Sequence, residues 1–168
     1  MVHKVVEIIK KEGKMPYTET TVPFDKSFGE VQQLLRKFGC EEVFTRSQLS
    51  SIPKMKVSSC TIHSIGFIHK GSKFLLEFPV TVVVQGRHGE DKKVNMDISG
   101  RIVLNKVKSL LVDVEINYLS FEQAMLPYQL VAARDGRAIT VMEMVDENRS
   151  KLGNVGAMEC LLLGSDVK

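Results

Sequence analysis

The 168-residue chain has no tryptophan, only three tyrosines, five prolines and three cysteines, and no apolar run near the roughly 18 residues that a membrane-spanning helix needs. Each scarcity excludes something. Cys40, Cys60 and Cys160 are odd in number and none lies in a CxxC pair, so they do not make a disulfide framework in a chain long enough to bury its own core. The opening Met1-Val2-His3-Lys4-Val5-Val6-Glu7 is interrupted by charge every few residues, unlike the apolar core of a secretory signal. A reducing, cytoplasmic setting without membrane association is the expectation. Cys60 and His63 are the closest Cys/His pair. Residues three apart on a strand point to opposite faces, so these two cannot chelate one ion. His3, His69 and His88 fall near a terminus and two expected turns. Neither a metal nor a cofactor is expected.

What is present supports a fold. A 43% hydrophobic share can fill one core, and the length fits a single domain over 1–168. Residues 1–19 read as an N-terminal arm and 147–168 as a C-terminal tail suited to docking on another subunit. Ser27-Phe28-Gly29-Glu30 fits a capping box. Phe28, Val31, Leu34, Leu35 and Phe38 follow at helical spacing, and Gly39 supplies a stop. A second helix is expected over Gly100–Tyr118, capped by Ser99, with Val103, Leu104, Val107, Leu110, Leu111, Val114 and Tyr118 as its apolar stripe. Ser120-Phe121-Glu122-Gln123 offers another capping box, opening a short helix that Pro127 stops.

Between the helices, residues 41–56 carry only a weak pattern, and Ser47–Pro53 reads as loop. A strand through Cys60–Ile68 turns at His69-Lys70-Gly71-Ser72 and returns through Lys73–Val84, with Pro79 marking a bulge or an edge. Gln85–Asp91 forms a polar turn and Lys92–Ile98 completes a meander. Tyr128–Ala133 and Ala138–Val145 form a hairpin, which places Met142 and Met144 on one strand face. The stretch Val2–Glu12 suits a helix or a strand. The predicted fold is α+β: an antiparallel sheet of about five or more strands with two main amphipathic helices packed on one face.

Three stretches carry a resemblance. Thr21-Val22-Pro23-Phe24-Asp25-Lys26-Ser27 leads into Leu34-Leu35-Arg36-Lys37-Phe38-Gly39; Gly71-Ser72-Lys73-Phe74-Leu75-Leu76-Glu77-Phe78-Pro79 follows; Ser120–Tyr128 then precedes Asp135-Gly136-Arg137. In this order they resemble a family of small uncharacterised proteins of bacteriophage and prophage genomes, over roughly half the chain. The resemblance carries no catalytic signature and implies a viral or mobile-element setting, in which small accessory proteins act on DNA or host factors.

Chemistry is sparse. There is no GxSxG elbow and no Walker A loop. Glu41-Glu42 and Glu90-Asp91 are adjacent carboxylates in expected loops, and Glu77, Asp97, Asp113 and Glu115 would need a fold that makes them converge before they could hold a metal. No catalytic residue is assigned, and an enzyme is not expected. Charge is more informative in its distribution. The net charge is +3, but residues 1–120 hold 18 Lys+Arg against 13 Asp+Glu, while residues 121–168 hold 5 against 7. Lys70 and Lys73 flank one turn; Arg87, Lys92 and Lys93 flank the next. At one end of a meander these five would form a basic rim for phosphates. Phe67, Phe74 and Phe78 are expected in the core rather than on a base-stacking platform.

Two functions follow as expectations. The first is a small non-catalytic accessory protein binding single-stranded nucleic acid without sequence specificity through Lys70, Lys73, Arg87, Lys92 and Lys93. The second is a homo-oligomeric structural or interaction module, associating through its apolar tail and a sheet edge.

Overall fold

Along the chain run β1 (Val5–Ile9), α1 (Phe24–Lys37), β2 (Glu41–Ile52), β3 (Val57–His69), β4 (Ser72–Glu77), β5 (Val80–Gln85), β6 (Asp91–Val94), α2 (Met96–Glu115), α3 (Phe121–Met125), a 3-10 turn at Leu126–Tyr128, β7 (Leu130–Ala132), β8 (Ala138–Thr140) and α4 (Val141–Leu152). This computed structural model describes residues 5–9, 17, 19–52, 57–85, 91–133 and 135–152.

The fold is α+β, as composition and patterning predict, but in place of the expected single antiparallel sheet with two main helices the described residues form three small sheets and four α-helices. β2-β3-β4 form an antiparallel sheet, β1-β5-β6 form a second, and β7-β8 pair by themselves. β1 runs parallel to β5, with Val5 opposite Val80 and Ile9 opposite Val84. The division falls at Pro79. Phe78 N–H donates to His63 C=O at 2.9 Å, and at Pro79, whose ring fixes φ, the pairing with β3 ends. The chain leaves that sheet and re-enters strand geometry at Val80 in the other.

β3 supports packing on both faces. Its Ile65 and Phe67 join Phe74, Leu76 and Phe78 beneath Val31 and Leu35 of α1 and Leu104, Val107 and Leu111 of α2. The Phe67 and Phe74 rings stack 5.1 Å apart, and Phe121 meets both edge-on. The three phenylalanines expected in the core are there, each about 1% exposed. On the opposite face Cys60 and Ile62 pack against Val80 and Val82 of β5. The β3–β4 connection is the two-residue turn Lys70-Gly71, both with positive φ (46° and 79°), the conformation that a tight hairpin requires.

Several boundaries move. The first helix begins at Phe24, not Ser27, because Asp97 of α2 supplies the cap: Phe24 N–H donates to Asp97 Oδ1 at 2.7 Å. Ser27 is then fully buried inside the helix. α2 begins at Met96 because Asn95 Oδ1 accepts from the N–H groups of Asp97 and Ile98, so β6 is short and Ser99 is buried in the helix rather than capping it. α2 stops at Glu115, which leaves Tyr118 75% exposed instead of in the core stripe. The Ser120 capping box forms as expected. Residues 41–52 are strand, and within them Ser47–Ile52 are strand rather than loop, because pairing with β3 overrides their polar composition. Val141–Val145 are helix rather than strand: Thr140 and Glu143 form a reciprocal cap, Thr140 N–H donating to Glu143 Oε2 at 2.8 Å and Glu143 N–H to Thr140 Oγ1 at 3.2 Å. Met142 and Met144 therefore share no strand face. The arm before Val5 and the tail after Leu152 lie outside the described residues.

Asp97 links the two large helices, so Asp97→Ala is expected to destabilise the fold by roughly 1–2 kcal/mol, a Tm decrease of about 3–6 °C in thermal unfolding. Asp97→Asn, which keeps an acceptor oxygen, is expected to lose less than half of that.

Candidate functional site

Of the basic residues singled out in the sequence, Lys70, Lys73 and Lys93 are described with their side chains, and Lys93 stands apart from the other two. Lys70 sits in the β3–β4 turn with Nζ 3.4 Å from Glu122 Oε1. The carboxyl of Glu122 is held below its ordinary range by its own backbone N–H, helped by Lys70, so it is ionised and offsets the lysine charge. Lys73 is exposed near the start of β4, opposite Ile68. Lys93 is exposed opposite Val83, near the end of β5, and Lys92 follows the backbone opposite Val84. The Lys92 side chain and the whole of Arg87 lie outside what is described. β4 and β5 lead from the first group to the second. β5 packs on Cys60 of β3 while the Lys70 turn follows His69; at about 3.3 Å per residue these ends of β3 are roughly 30 Å apart. Lys70 and Lys93 therefore do not share one end of a sheet, since the chain passes Pro79 into a second one.

The carboxylates have separate duties. Asp97 caps α1, Glu115 pairs with Lys37 and Glu143 is committed to the α4 cap. Among the described residues no group of three or more His, Cys, Asp or Glu is placed to hold a metal, and no helix is long and apolar enough to cross a membrane. Cys60 and His63 differ in parity on β3, on opposite faces as expected. His69, expected at a surface turn, is buried. Its ring lies 4.2 Å from that of Phe121, and Nδ1 is 3.1 Å from Glu122 Oε1 but off the line of a hydrogen bond.

His63 shares a 3.0 Å hydrogen bond with Ser47 Oγ and lies against Phe24 and Phe28. Burial lowers its pKa, against a smaller opposing effect of the Asp25 charge. Hydroxyl, imidazole and carboxylate are thus neighbours, yet Ser47 stands exposed on an open strand, without the recessed oxyanion donors that acyl transfer needs.

A cleft of about 180 Å³ lies between the end of β4, α2 and the start of α4, with Glu77, Lys106, Tyr128 and Glu143 in its wall. It is smaller than the roughly 300–1,000 Å³ of ordinary ligand sites, and Lys106 is occupied over the Tyr128 ring at 5.4 Å. An open groove of about 440 Å³ runs between the Lys70 turn and the β7–β8 hairpin, and among the described residues Lys73 is the one charged residue lining it. Neither concentrates reactive groups.

The prominent surface feature is one that composition concealed. Among the described residues β2 is paired on one side only, to β3, and from Glu41 to Leu49 nearly every residue is exposed. Leu49 is 74% and Phe44 54% exposed. Parity decides which backbone groups remain open. Because His63 C=O faces β4, the odd residues of β3 face β4 and its even residues face β2. The partners of those even residues, Phe44, Arg46, Gln48 and Ser50, point inward. Thr45, Ser47 and Leu49 therefore direct N–H and C=O outward.

Comparison with protein-family models, curated proteins and solved structures finds no match.

Two measurements check this geometry. Burial pushes the Cys40 thiol up to about 12 and raises that of Cys60, so both are expected to react with a thiol reagent at pH 8 only as fast as the native protein opens. For His63, a folded pKa below the unfolded value near 6.5 means that the unfolded state binds more protons as pH falls through that value. Its contribution to stability is whole above that window and is lost below it. The decrease in urea midpoint between pH 8 and pH 5.5 is expected to be smaller in His63→Gln than in the wild type.

Proposed function

We propose that this chain is a non-catalytic interaction module that presents the outer edge of β2 for the addition of another strand. The observation that supports it is the regular run from Phe44 to Ser50, bounded by irregularities at Glu41/Phe44 and Ser50/Ile52. Within it there is no proline, no lysine and a single charge, Arg46. Exposed edges are ordinarily blunted by such devices, and two of the other edges here are. β6 is only four residues long and carries Lys92 and Lys93; Gln129 bridges to Phe74 on the outer side of β4. Strand addition draws affinity from main-chain hydrogen bonds and specificity from alternate side chains, which the outward groups of Thr45, Ser47 and Leu49 provide. The resemblance to phage proteins agrees with such a module serving as an accessory protein of a mobile element.

Amide hydrogen exchange in dilute solution tests this reading. The N–H groups of Arg46, Gln48 and Ser50 are expected to exchange slowly and those of Thr45, Ser47 and Leu49 at least tenfold faster. Slow exchange at all six would mean that the edge is already covered, and would remove the proposal.

Nucleic-acid binding is the second reading, favoured by the exposure of Lys73 and Lys93. With the basic groups separated, it calls for two weak contacts rather than one groove. Titration of single-stranded DNA and RNA near 50 mM salt decides it: retention that falls steeply with salt and with Lys73→Glu supports it, and no retention eliminates it.

A further inference from the structure

The geometry of β2 also identifies what it pairs with. Resting on the reading of this edge as an interaction surface, we infer that the added strand is β2 of a second copy, antiparallel, about a two-fold axis through Ser47.

The edge itself selects the register. An isologous strand pair is antiparallel, and both members of each directly opposed pair must have the same hydrogen-bonding orientation. Since Thr45, Ser47 and Leu49 face outward, odd residues must oppose odd residues. That condition permits axes through Arg46, Ser47 or Gln48 and excludes those midway between residues. Only the axis through Ser47 lays the regular run Phe44–Ser50 upon itself from end to end; a shift to either neighbour sets an irregularity of one strand against the ladder of the other.

Side chains agree with this choice. An axis through Arg46 would place two guanidinium groups directly opposite, which is destabilising. About Ser47, Arg46 instead opposes Gln48 of the other copy. Within one chain Arg46 Nη2 already donates to Gln48 Oε1 at 3.2 Å, and the pairing repeats the same donor and acceptor across the axis. Leu49, with 74% of its surface exposed, comes to lie beside the methyl group of Thr45. Three closely bonded pairs supply about six main-chain hydrogen bonds. The axis stands normal to the sheet, so both copies carry α1 and α2 on the same side, and the exposed Thr45, Ser47 and Leu49 leave room there. Seven residues a side is far below the roughly 20–30 of a standard interface. The dimer is a transient one that forms with rising concentration, and an edge that opens again remains available to other strands.

Nitroxide labels at Ser47→Cys or Ser50→Cys, in a Cys160→Ser background, read the register; Cys40 and Cys60 are buried. In about 1 mM protein, dipolar broadening is expected to be strong for label 47 and at least fivefold weaker for label 50, whose two copies are separated by about 20 Å of strand rise. Ser47→Pro removes an outward N–H and spares the β3 ladder, and Leu49→Lys charges the edge; each is expected to weaken dimerisation at least tenfold in sedimentation equilibrium, with native circular dichroism retained. Stronger broadening at 50 than at 47, or a monomer throughout that range, would overturn the inference. Fast exchange at Thr45, Ser47 and Leu49 alongside a persistent monomer overturns self-pairing alone and leaves the edge reading standing; slow exchange in dilute monomer overturns both.

Discussion

Everything in this fold turns on the alternation of β3. In a strand each residue commits both of its main-chain groups to one neighbour, and its side chain to one face. In β3 the odd residues bond to β4 and send Ile65 and Phe67 under the helices, while the even residues bond to β2 and send Cys60 and Ile62 toward β5. Slipping by one residue would exchange the two faces, turning Ile65 and Phe67 toward β5 and the smaller Cys60, Ser64 and Gly66 beneath the helices. The same parity, carried across one ladder, determines which atoms of β2 face solvent. A surface property is thereby dictated from the core.

Pro79 is the second constraint. The chain leaves the β3–β4 ladder there, with φ fixed by the ring, and Val80 begins a strand of another sheet. That change of sheet also sets Lys70 and Lys93 apart. Five basic residues close together in sequence suggest a shared rim only while the strands are assumed to fold back beside one another; the actual course of the chain sets Lys70 and Lys93 at opposite ends of β3. Lys70, moreover, has Glu122 beside it, a residue from a distant part of the chain whose approach no local pattern announces.

Legibility follows the range of the interactions. The Ser120 capping box and the β3–β4 turn are set by residues within a few positions of one another, and both are readable. Thr140-Val141-Met142-Glu143 is an equally local signal for α4, but the β-branched residues around it also suit a strand, and the strand pattern obscures it. The start of α1 depends on Asp97, 73 residues away; no local pattern can place it, and the Ser27 box is a coincidence inside the helix. β2 is the largest departure from expectation. Strands buried on one face announce themselves by alternating hydrophobicity, whereas β2 is exposed on nearly all of its length and has only its hydrogen bonds to β3 to declare it. The feature on which the functional reading depends is therefore the least visible, and for the same reason: an edge left open has no burial pattern.

The parallel pairing of β1 with β5 has a consequence for how the chain comes to be assembled. Val5 must wait for Val80. At the roughly 5–20 residues per second of translation, β1 leaves the ribosome several seconds before the strand that receives it, whereas β2, β3 and β4 emerge in succession and can join as they arrive. The second sheet is completed late, by a segment that was made first. During those seconds an apolar Val-Val-Glu-Ile-Ile stretch is without its neighbour, and a nascent-chain chaperone would find it there.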